Sequence, residues 1–306
     1  MRNNVLKTNI AGLQLPNPTM LASGILGYSA ETWAEVEKAG AGAIVTKSVG
    51  VKPRDGYPNP TVVQTECGLV NAMGLPNPGI EEFGHEIRGA GKALHVPLIV
   101  SVYGFSANEY ADASVRAIKA GADAVELNIS CPHVQKTGCE IGQDPALVRE
   151  VVRKVKSHVQ KPVLVKLSPN VRDIVEIAHA ADTAGADALT LINTVKAMAI
   201  DVETGLPTLG NKLGGLSGSA IKPIALRCVY EVYEEIKKPL VGCGGIADWR
   251  DAVEFVLAGA SAVQIGTAIS IRNIEVFREI ASGMEAYVKR KRYGSVTEVV
   301  GKSHKN

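Results

Sequence analysis

A five-residue pattern, Ala-Gly-Ala-x-Ala, occurs four times in this chain of 306 residues. Each copy follows a segment with helical periodicity and precedes a short apolar run. We therefore expect its glycine to end a helix and to begin the connection to a strand. The copies occupy residues 39–43, 120–124, 184–188 and 258–262. The repeat predicts a chain in which helices and strands alternate regularly.

Strands of a second kind lie between these repeats, at residues 18–22, 96–100, 161–165 and 238–241. Together with the runs that follow the repeats, they make eight strands. Because the runs are apolar on both faces and alternate with amphipathic segments, we expect a parallel sheet. Eight such units without a reversal of order favour an α/β fold, the closed (β/α)8 TIM barrel. A doubly wound open sheet is the structural alternative.

Composition narrows the class of protein. Hydrophobic residues make up 46% of the chain, enough for a large core in one domain spanning residues 1–306. The net charge of +2 favours neither nucleic acid nor a membrane as partner, so we expect a small ligand. Five cysteines without a C-x-x-C pair suggest reduced thiols and a cytoplasmic setting. We find no signal peptide and no apolar run of about 18 residues, which predicts a soluble protein.

In a barrel of this kind, functional residues lie at the carboxyl ends of the strands. The eight predicted ends contain amides, hydroxyls, glycines and two lysines, in segments 22–24, 46–48, 101–104, 128–131, 166–168, 193–194, 242–245 and 266–267. None of these segments contains Asp, Glu or His, so we expect no metal site and no pair of catalytic carboxylates. A redox cofactor fits these residues better.

Cys131 lies just after the predicted strand 124–127. Pro132 cannot continue a sheet and biases Cys131 toward an extended conformation, so we expect the thiol at the start of a loop. This location favours a chemical role, and a buried structural cysteine is the alternative.

Two lysines, Lys47 and Lys166, each end an apolar strand, where a charge is costly unless an anionic or electron-rich group meets it. Either could instead be a surface residue or form a Schiff base. The glycines after the last two strands are typical of a phosphate site, and residues 214–218 could add backbone amides, although such glycines also mark tight turns. Residues 242–247 match a dinucleotide fingerprint, but no acidic residue ends the next strand to bind a ribose.

Several of these segments together resemble the dihydroorotate dehydrogenase family, in particular its class 1B catalytic subunit. The matching segments are 128–132, 166–171, 189–194, 214–218 and 259–267, in a register that runs from Leu15 to Thr267. The resemblance implies a barrel that binds FMN and oxidises dihydroorotate to orotate in pyrimidine biosynthesis.

The resemblance also implies a role for each matched residue. Cys131 would be the base that takes a proton from carbon 5 of the substrate while the hydride at carbon 6 passes to the flavin. Lys166 would stabilise negative charge on the reduced flavin ring. The substrate would be bound by Lys47, Asn71, Ala72, Met73, Gly74, Leu75, Asn128, Asn193 and Thr194. FMN would be bound by Ser23, Lys47, Ser48, Ser101, Asn128, Lys166, Ile192, Gly218, Gly244, Gly245, Gly266 and Thr267.

The class 1B resemblance further implies a partner subunit that carries FAD and a 2Fe-2S cluster, forms a heterotetramer with this chain and passes electrons to NAD. Three insertions, at residues 50–80, 131–145 and 195–220, are expected over the barrel mouth, the second as a lid over the thiol. His133 and Ser101 depart from the family pattern, which commonly has Asn at both positions.

Other functions stay open at this point. Residues 131–133 and 142–145 also resemble the uracil-reducing barrel of dihydropyrimidine dehydrogenase. A lyase with Lys166 or Lys47 as a Schiff base is the alternative outside redox chemistry, and a flavin-binding subunit that only relays electrons is another. The remaining cysteines, Cys67, Cys139, Cys228 and Cys243, are expected to be ordinary residues, and Cys139 is the one whose role stays open.

Overall fold

The structure is a computed structural model that describes residues 4–26, 29–130 and 141–305. The described residues form sixteen strands and nine α-helices. The strands are β1 (Thr8–Ile10), β2 (Leu13–Leu15), β3 (Thr19–Leu21), β4 (Ala43–Val45), β5 (Val62–Thr65), β6 (Gly68–Asn71), β7 (Leu98–Val102), β8 (Ala124–Asn128), β9 (Val163–Leu167), β10 (Ala188–Leu191), β11 (Val195–Met198), β12 (Ile200–Asp201), β13 (Leu206–Pro207), β14 (Leu213–Ser217), β15 (Leu240–Cys243) and β16 (Ala260–Ile265). The helices are α1 (Ala30–Lys38), α2 (Ile80–Ala93), α3 (Ala107–Ala120), α4 (Pro145–Lys156), α5 (Ile174–Thr183), α6 (Lys222–Glu235), α7 (Trp249–Leu257), α8 (Ala268–Arg272) and α9 (Val276–Arg290).

Eight of the strands close a parallel barrel. They follow one another around the barrel in chain order, β3, β4, β7, β8, β9, β10, β15 and β16, and β16 pairs with β3 to complete the ring. The predicted (β/α)8 barrel is confirmed, and the open doubly wound sheet is wrong because the ring has no edge strands.

The glycine of each repeat adopts a left-handed conformation where a helix ends. The φ angles are 110° at Gly40, 119° at Gly121, 101° at Gly185 and 121° at Gly259. A residue with a Cβ atom would be strained there, so the glycines allow each helix to stop and a strand to begin within a few residues. The function predicted for the repeat is confirmed.

The interior of the barrel is apolar at its amino-terminal end. Hairpin β1–β2 contributes the fully buried Ile10 and Leu15 to this core. Every barrel strand adds at least one side chain, namely Met20, Ala43, Val45, Ile99, Ala124, Leu164, Ala188, Val241 and Ala262. Because side chains alternate along a strand, the residues two positions further along form the next interior layer. Those positions include Lys47, Glu126, Lys166 and Gln264, so polar groups lie between the apolar core and the carboxyl ends.

Two of the predicted insertions pair with each other. Strands β5 and β6 come from residues 50–80 and strands β11 and β14 from residues 195–220, and they form one antiparallel sheet in the order β11-β14-β6-β5. Asn71 lies opposite Gly215 across this junction. Residues 131–140 of the remaining insertion, 131–145, where a lid was predicted, lie outside the described residues. Within the described part of the chain, no helix has the length and hydropathy needed to cross a membrane.

Candidate functional site

A cavity of about 1370 Å³ lies at the carboxyl ends of the barrel strands, with the antiparallel sheet as one of its walls. Small-molecule sites usually have volumes up to about 1000 Å³, so this cavity has room for a cofactor and a substrate together. Most residues predicted for the site line it: Ser23, Lys47, Ser48, Asn71, Ala72, Met73, Gly74, Leu75, Asn128, Lys166, Ile192, Asn193, Thr194, Gly218, Gly244, Gly245, Gly266 and Thr267.

Two predicted site residues are not among the lining residues. Ser101 is fully buried, and its hydroxyl lies 2.8 Å from that of Ser48, which does line the cavity. Ser101 would therefore act on a ligand through Ser48. Cys131 lies outside the described residues, as do His133 and Cys139.

A chain of side-chain hydrogen bonds follows one side of the cavity. Asn193 Nδ2 donates to Asn128 Oδ1 at 3.1 Å, and Asn128 Nδ2 donates to Ser48 Oγ at 3.0 Å. The hydroxyl of Ser23 lies 3.4 Å from that of Ser48. These contacts fix the orientation of two amides that line the cavity. Amides and hydroxyls at a cavity wall suit a heterocyclic ligand with donors and acceptors of its own.

The antiparallel sheet brings Asn71 and Thr194 into the same cavity. Asn71 Nδ2 donates to the carbonyl of Gly215 on the neighbouring strand at 3.2 Å. A Cβ atom at Gly215 would lie 2.0 Å from Thr194 Oγ1, so only glycine allows Thr194 to approach the sheet this closely. Pairing of the two insertions therefore positions these residues.

The two predicted lysines are both buried at the cavity but differ in their surroundings. Burial lowers the pKa of Lys47, which is 7% exposed. Burial also lowers the pKa of Lys166, but the nearby Cys243 and Glu126 raise it by more, so the net pKa lies above its ordinary value. Lys166 Nζ donates to Gln264 Oε1 at 3.0 Å and lies 4.0 Å from Glu126 Oε1. We infer that the carboxylate of Glu126 balances the charge of Lys166.

The sequence reasoning missed Glu126, which it treated as part of an apolar strand. The alternation of side chains along β8 could have revealed Glu126. Ala124, Glu126 and Asn128 occupy one face of this strand, and Asn128 was already predicted to lie in the site. Cys243, expected to be ordinary, lines the cavity and contacts Lys166. Burial raises the pKa of the Cys243 thiol, so it is neutral near pH 7.

Backbone groups are exposed where the predicted phosphate site lies. Gly218, Gly244 and Gly245 have φ angles of 97°, 128° and 77°. A Cβ atom at Gly245 would lie 2.7 Å from Lys222 Cβ and 2.9 Å from the Gly218 carbonyl oxygen. Among the described residues, no acceptor takes a hydrogen bond from the backbone N–H of Gly245 or Thr267. This segment can therefore bind an anion through the backbone.

Several cavity residues had no predicted role. Arg54 lies with its guanidinium 5.4 Å from the centre of the Phe105 ring. Asn170 Nδ2 donates to the Thr194 carbonyl at 3.0 Å, and its Oδ1 accepts from the Lys196 backbone N–H at 2.9 Å. Asn170 follows β9 within a quoted motif and could have been found, whereas the place of Arg54 depends on how its insertion folds. In the part of the chain that the structure describes, no group of three or more His, Cys, Asp or Glu residues could bind a metal.

Comparison with known proteins agrees with this architecture. The family described as dihydroorotate dehydrogenase matches residues 5–288 of the chain. The chain belongs to the dihydroorotate dehydrogenase family. It is therefore an oxidoreductase, and the resemblance found in the sequence is confirmed.

Curated relatives in the dihydroorotate dehydrogenase family match nearly the whole chain. A protein of Pyrococcus abyssi is 51% identical over 299 residues, which are 97% of this chain and 98% of the relative. A protein of Methanosarcina acetivorans is 47% identical over 297 residues, which are 97% of this chain and 95% of the relative. Both relatives are named dihydroorotate dehydrogenase B (NAD(+)), catalytic subunit.

Proposed function

We propose that this chain oxidises dihydroorotate to orotate with FMN as the hydride acceptor, as the catalytic subunit of an NAD-linked enzyme. The observation that supports this most strongly is that two groups of predicted residues share one cavity. It is lined both by residues that the family resemblance assigns to FMN and by residues that it assigns to the pyrimidine. Cofactor and substrate would therefore meet in the same cavity.

The residues of the cavity fit FMN. The backbone of Gly218, Gly244, Gly245, Gly266 and Thr267 would bind the phosphate, because it is free of Cβ atoms at the glycines and offers unused N–H groups. Ser23, Ser48, Asn128 and Lys166 would bind the polar edge of the ring. FMN, when bound, would accept the hydride from the substrate.

The substrate would lie against the other group of residues. Lys47 would bind the carboxylate, since a buried ammonium favours an anionic partner. Asn71, Asn193 and Thr194 would bind the pyrimidine ring through their amides and hydroxyl. Cys131 would take the proton from carbon 5, so that proton and hydride leave from adjacent carbons.

The surroundings of the two lysines fit the lyase alternative less well than they fit the dehydrogenase. A Schiff-base nucleophile must be a neutral amine, whereas Lys166 is held in its charged form beside Glu126. Lys47 has a lowered pKa, but its family position suits a substrate carboxylate equally well. A subunit that only relays electrons would not need a substrate site with amides and an ammonium group.

The partner subunit is part of the same proposal. The relatives are named as catalytic subunits of NAD(+) enzymes, which implies a separate subunit in those proteins. We propose that a partner with FAD and a 2Fe-2S cluster forms a heterotetramer with this chain and passes the electrons to NAD.

The test compares two substrates under anaerobic conditions. The FMN-loaded chain is mixed with dihydroorotate or with dihydrouracil, and flavin bleaching is followed in a stopped-flow instrument. Dihydroorotate should bleach the flavin, while dihydrouracil should be poorer by about 10⁴-fold in specificity, because it lacks the carboxylate that we propose Lys47 binds. Similar constants would favour the dihydropyrimidine dehydrogenase alternative. Bleaching by neither substrate would contradict the proposal.

A further inference from the structure

A buried polar network lies beneath the cavity and connects strands from different parts of the barrel. Gln264 Nε2 donates to Glu126 Oε2 at 2.5 Å, and Thr190 Oγ1 donates to the same oxygen at 2.8 Å. These side chains come from β16, β8 and β10, and β16 is not a neighbour of β8 in the ring. The network therefore spans the barrel interior and ends at Lys166, which lines the cavity.

The donors and acceptors of this network fit together in one arrangement. A carboxylate can only accept hydrogen bonds, and a lysine ammonium can only donate them. The Gln264 amide lies between the two, so its NH₂ group must face Glu126 and its oxygen must face Lys166. Glu126 thereby fixes the amide acceptor that orients the ammonium of Lys166.

Charge burial points to the same pair. Glu126 is 0% exposed and Lys166 is 6% exposed. Glu126 Oε1 is buried, has no hydrogen-bond partner among the residues that the structure describes, and lies 4.0 Å from Lys166 Nζ. In the described residues, Glu126 is the acidic side chain paired with Lys166, and the other titratable group against this lysine is the thiol of Cys243. Since burial favours the neutral thiol, the carboxylate is left as the counter-charge.

We propose that Glu126 is a positioning residue that keeps Lys166 charged and holds its ammonium at the floor of the cavity. There the ammonium would face the cofactor ring on which negative charge develops during reduction. The second part rests on the proposed function, whereas the pairing of the two charges does not. The first two of the three experiments below separate these parts.

The first experiment measures stability and does not depend on catalysis. Urea unfolding of the full-length chain, as purified, is compared for Glu126→Gln, Lys166→Met and the double variant. Lys166→Met leaves a buried carboxylate without its counter-charge, so we expect the double variant to be more stable than Lys166→Met alone. A double variant whose loss of stability equals the sum of the two single losses would overturn the proposed pairing, even if one single variant folds poorly.

The second experiment measures the midpoint potential of bound FMN against pH, with a chemical reductant. Where Lys166 stays protonated, Glu126→Gln should raise the potential, because it removes a negative charge near the flavin. Lys166 should lose its proton at a lower pH in this variant than in the native protein, and above that pH the potential should fall below the native value. Thr190→Val is the matched control, since it removes one hydrogen bond to Glu126 and leaves both charges in place. A difference between Glu126→Gln and the native protein that does not change with pH, or an equal shift in Thr190→Val, would overturn the proposal.

The rate of flavin reduction by dihydroorotate gives a further readout. We expect Glu126→Gln to reduce the flavin about 10-fold more slowly than the native chain at high pH, with recovery as pH falls and Lys166 regains its proton. Taking the ratio of the two rates at each pH cancels the titration of groups common to both proteins. A ratio independent of pH would indicate a purely structural role and overturn the proposal. If dihydroorotate does not reduce either protein, the proposed function fails, while the potential and stability measurements still decide the role of Glu126.

Discussion

Two buried lysines at the same cavity differ in the charges around them. Lys166 faces the carboxylate of Glu126, and its pKa lies above the ordinary value in spite of burial. Burial instead lowers the pKa of Lys47. At the scale of single residues, the ammonium of Lys166 is thus stabilised by its surroundings, whereas burial makes Lys47 lose its proton more easily than an exposed lysine.

The lowered pKa of Lys47 predicts how orotate binding depends on pH. Because the lysine is charged only below its pKa, affinity for the orotate carboxylate should fall as pH rises through that lowered value. Lys47→Met should bind orotate about 10- to 100-fold more weakly and lose this part of the pH dependence, since a hydrogen bond to a charged group contributes about 1.5–3 kcal/mol. Titration of the flavin spectrum with orotate measures both effects. The exposed Lys119→Met is the control, and an unaltered pH profile in Lys47→Met would contradict the assignment.

Cys131 is the residue whose removal should affect chemistry most. Cys131→Ala should slow flavin reduction by about 10²- to 10⁴-fold, the usual effect of losing a general base. FMN should remain bound, since the residues proposed for the cofactor are untouched. Cys228→Ala is the control, because Cys228 is buried in α6 and its pKa is raised to about 11. Single-turnover reduction at the native rate in Cys131→Ala would remove this thiol from the mechanism.

At the scale of elements, glycines with positive φ serve two purposes in this barrel. Those of the four repeats end helices, and their place could be predicted from a recurring pattern. Those near Gly218 and Gly245 instead let three segments approach one another at the proposed phosphate site. The second purpose depends on contacts between segments distant in the chain.

Gly245→Ala should weaken FMN binding by about 10-fold or more, because the residue has a φ of 77° and its Cβ atom would meet Lys222. Quenching of flavin fluorescence during titration measures the affinity. Gly91→Ala is the matched control, since a Cβ atom on Gly91 of α2 would meet no atom within 4 Å. That control should bind FMN normally and stabilise the helix by about 0.5–1 kcal/mol. Native affinity in Gly245→Ala would rule out close backbone approach as the binding mode.

At the scale of the whole molecule, the barrel supplies one cavity but lacks an evident route to NAD. The sequence has no C-x-x-C pair among its five cysteines, and its one match to a dinucleotide fingerprint lacks the acidic residue. In the structure, residues 242–247 of that match contribute Gly244 and Gly245 to the cavity, where we propose that FMN binds.

We therefore predict that the chain alone passes electrons to artificial dyes but reduces NAD slowly. Dihydroorotate should reduce the bound flavin at full rate, and NAD reduction should become fast only when the partner subunit is added. Steady-state assays with a dye, with NAD, and with NAD plus partner test this. Rapid NAD reduction by the pure chain, or stoichiometric turnover of fumarate, would show that the assigned acceptor is wrong.

The sequence by itself determined the barrel and a set of site residues, most of which line its cavity. Helix-ending glycines and apolar runs are local features, and the carboxyl ends of parallel strands must meet once the ring closes. Residues such as Lys47, Asn128 and Lys166 could therefore be placed at the site from their position after a strand. The family resemblance supplied the residues of the insertions, such as Asn71, which strand periodicity does not locate.

Only the tertiary structure decided which residues face one another across the ring. The contact between Glu126 and Gln264 joins positions 138 apart in the chain on strands that are not neighbours, so no local pattern specifies it. No local pattern specifies the position of Ser101 behind Ser48 on the neighbouring strand, or the close approach of Thr194 to Gly215. These contacts depend on barrel closure and on the pairing of two insertions, because burial of polar groups selects partners by distance in space and not by distance along the chain.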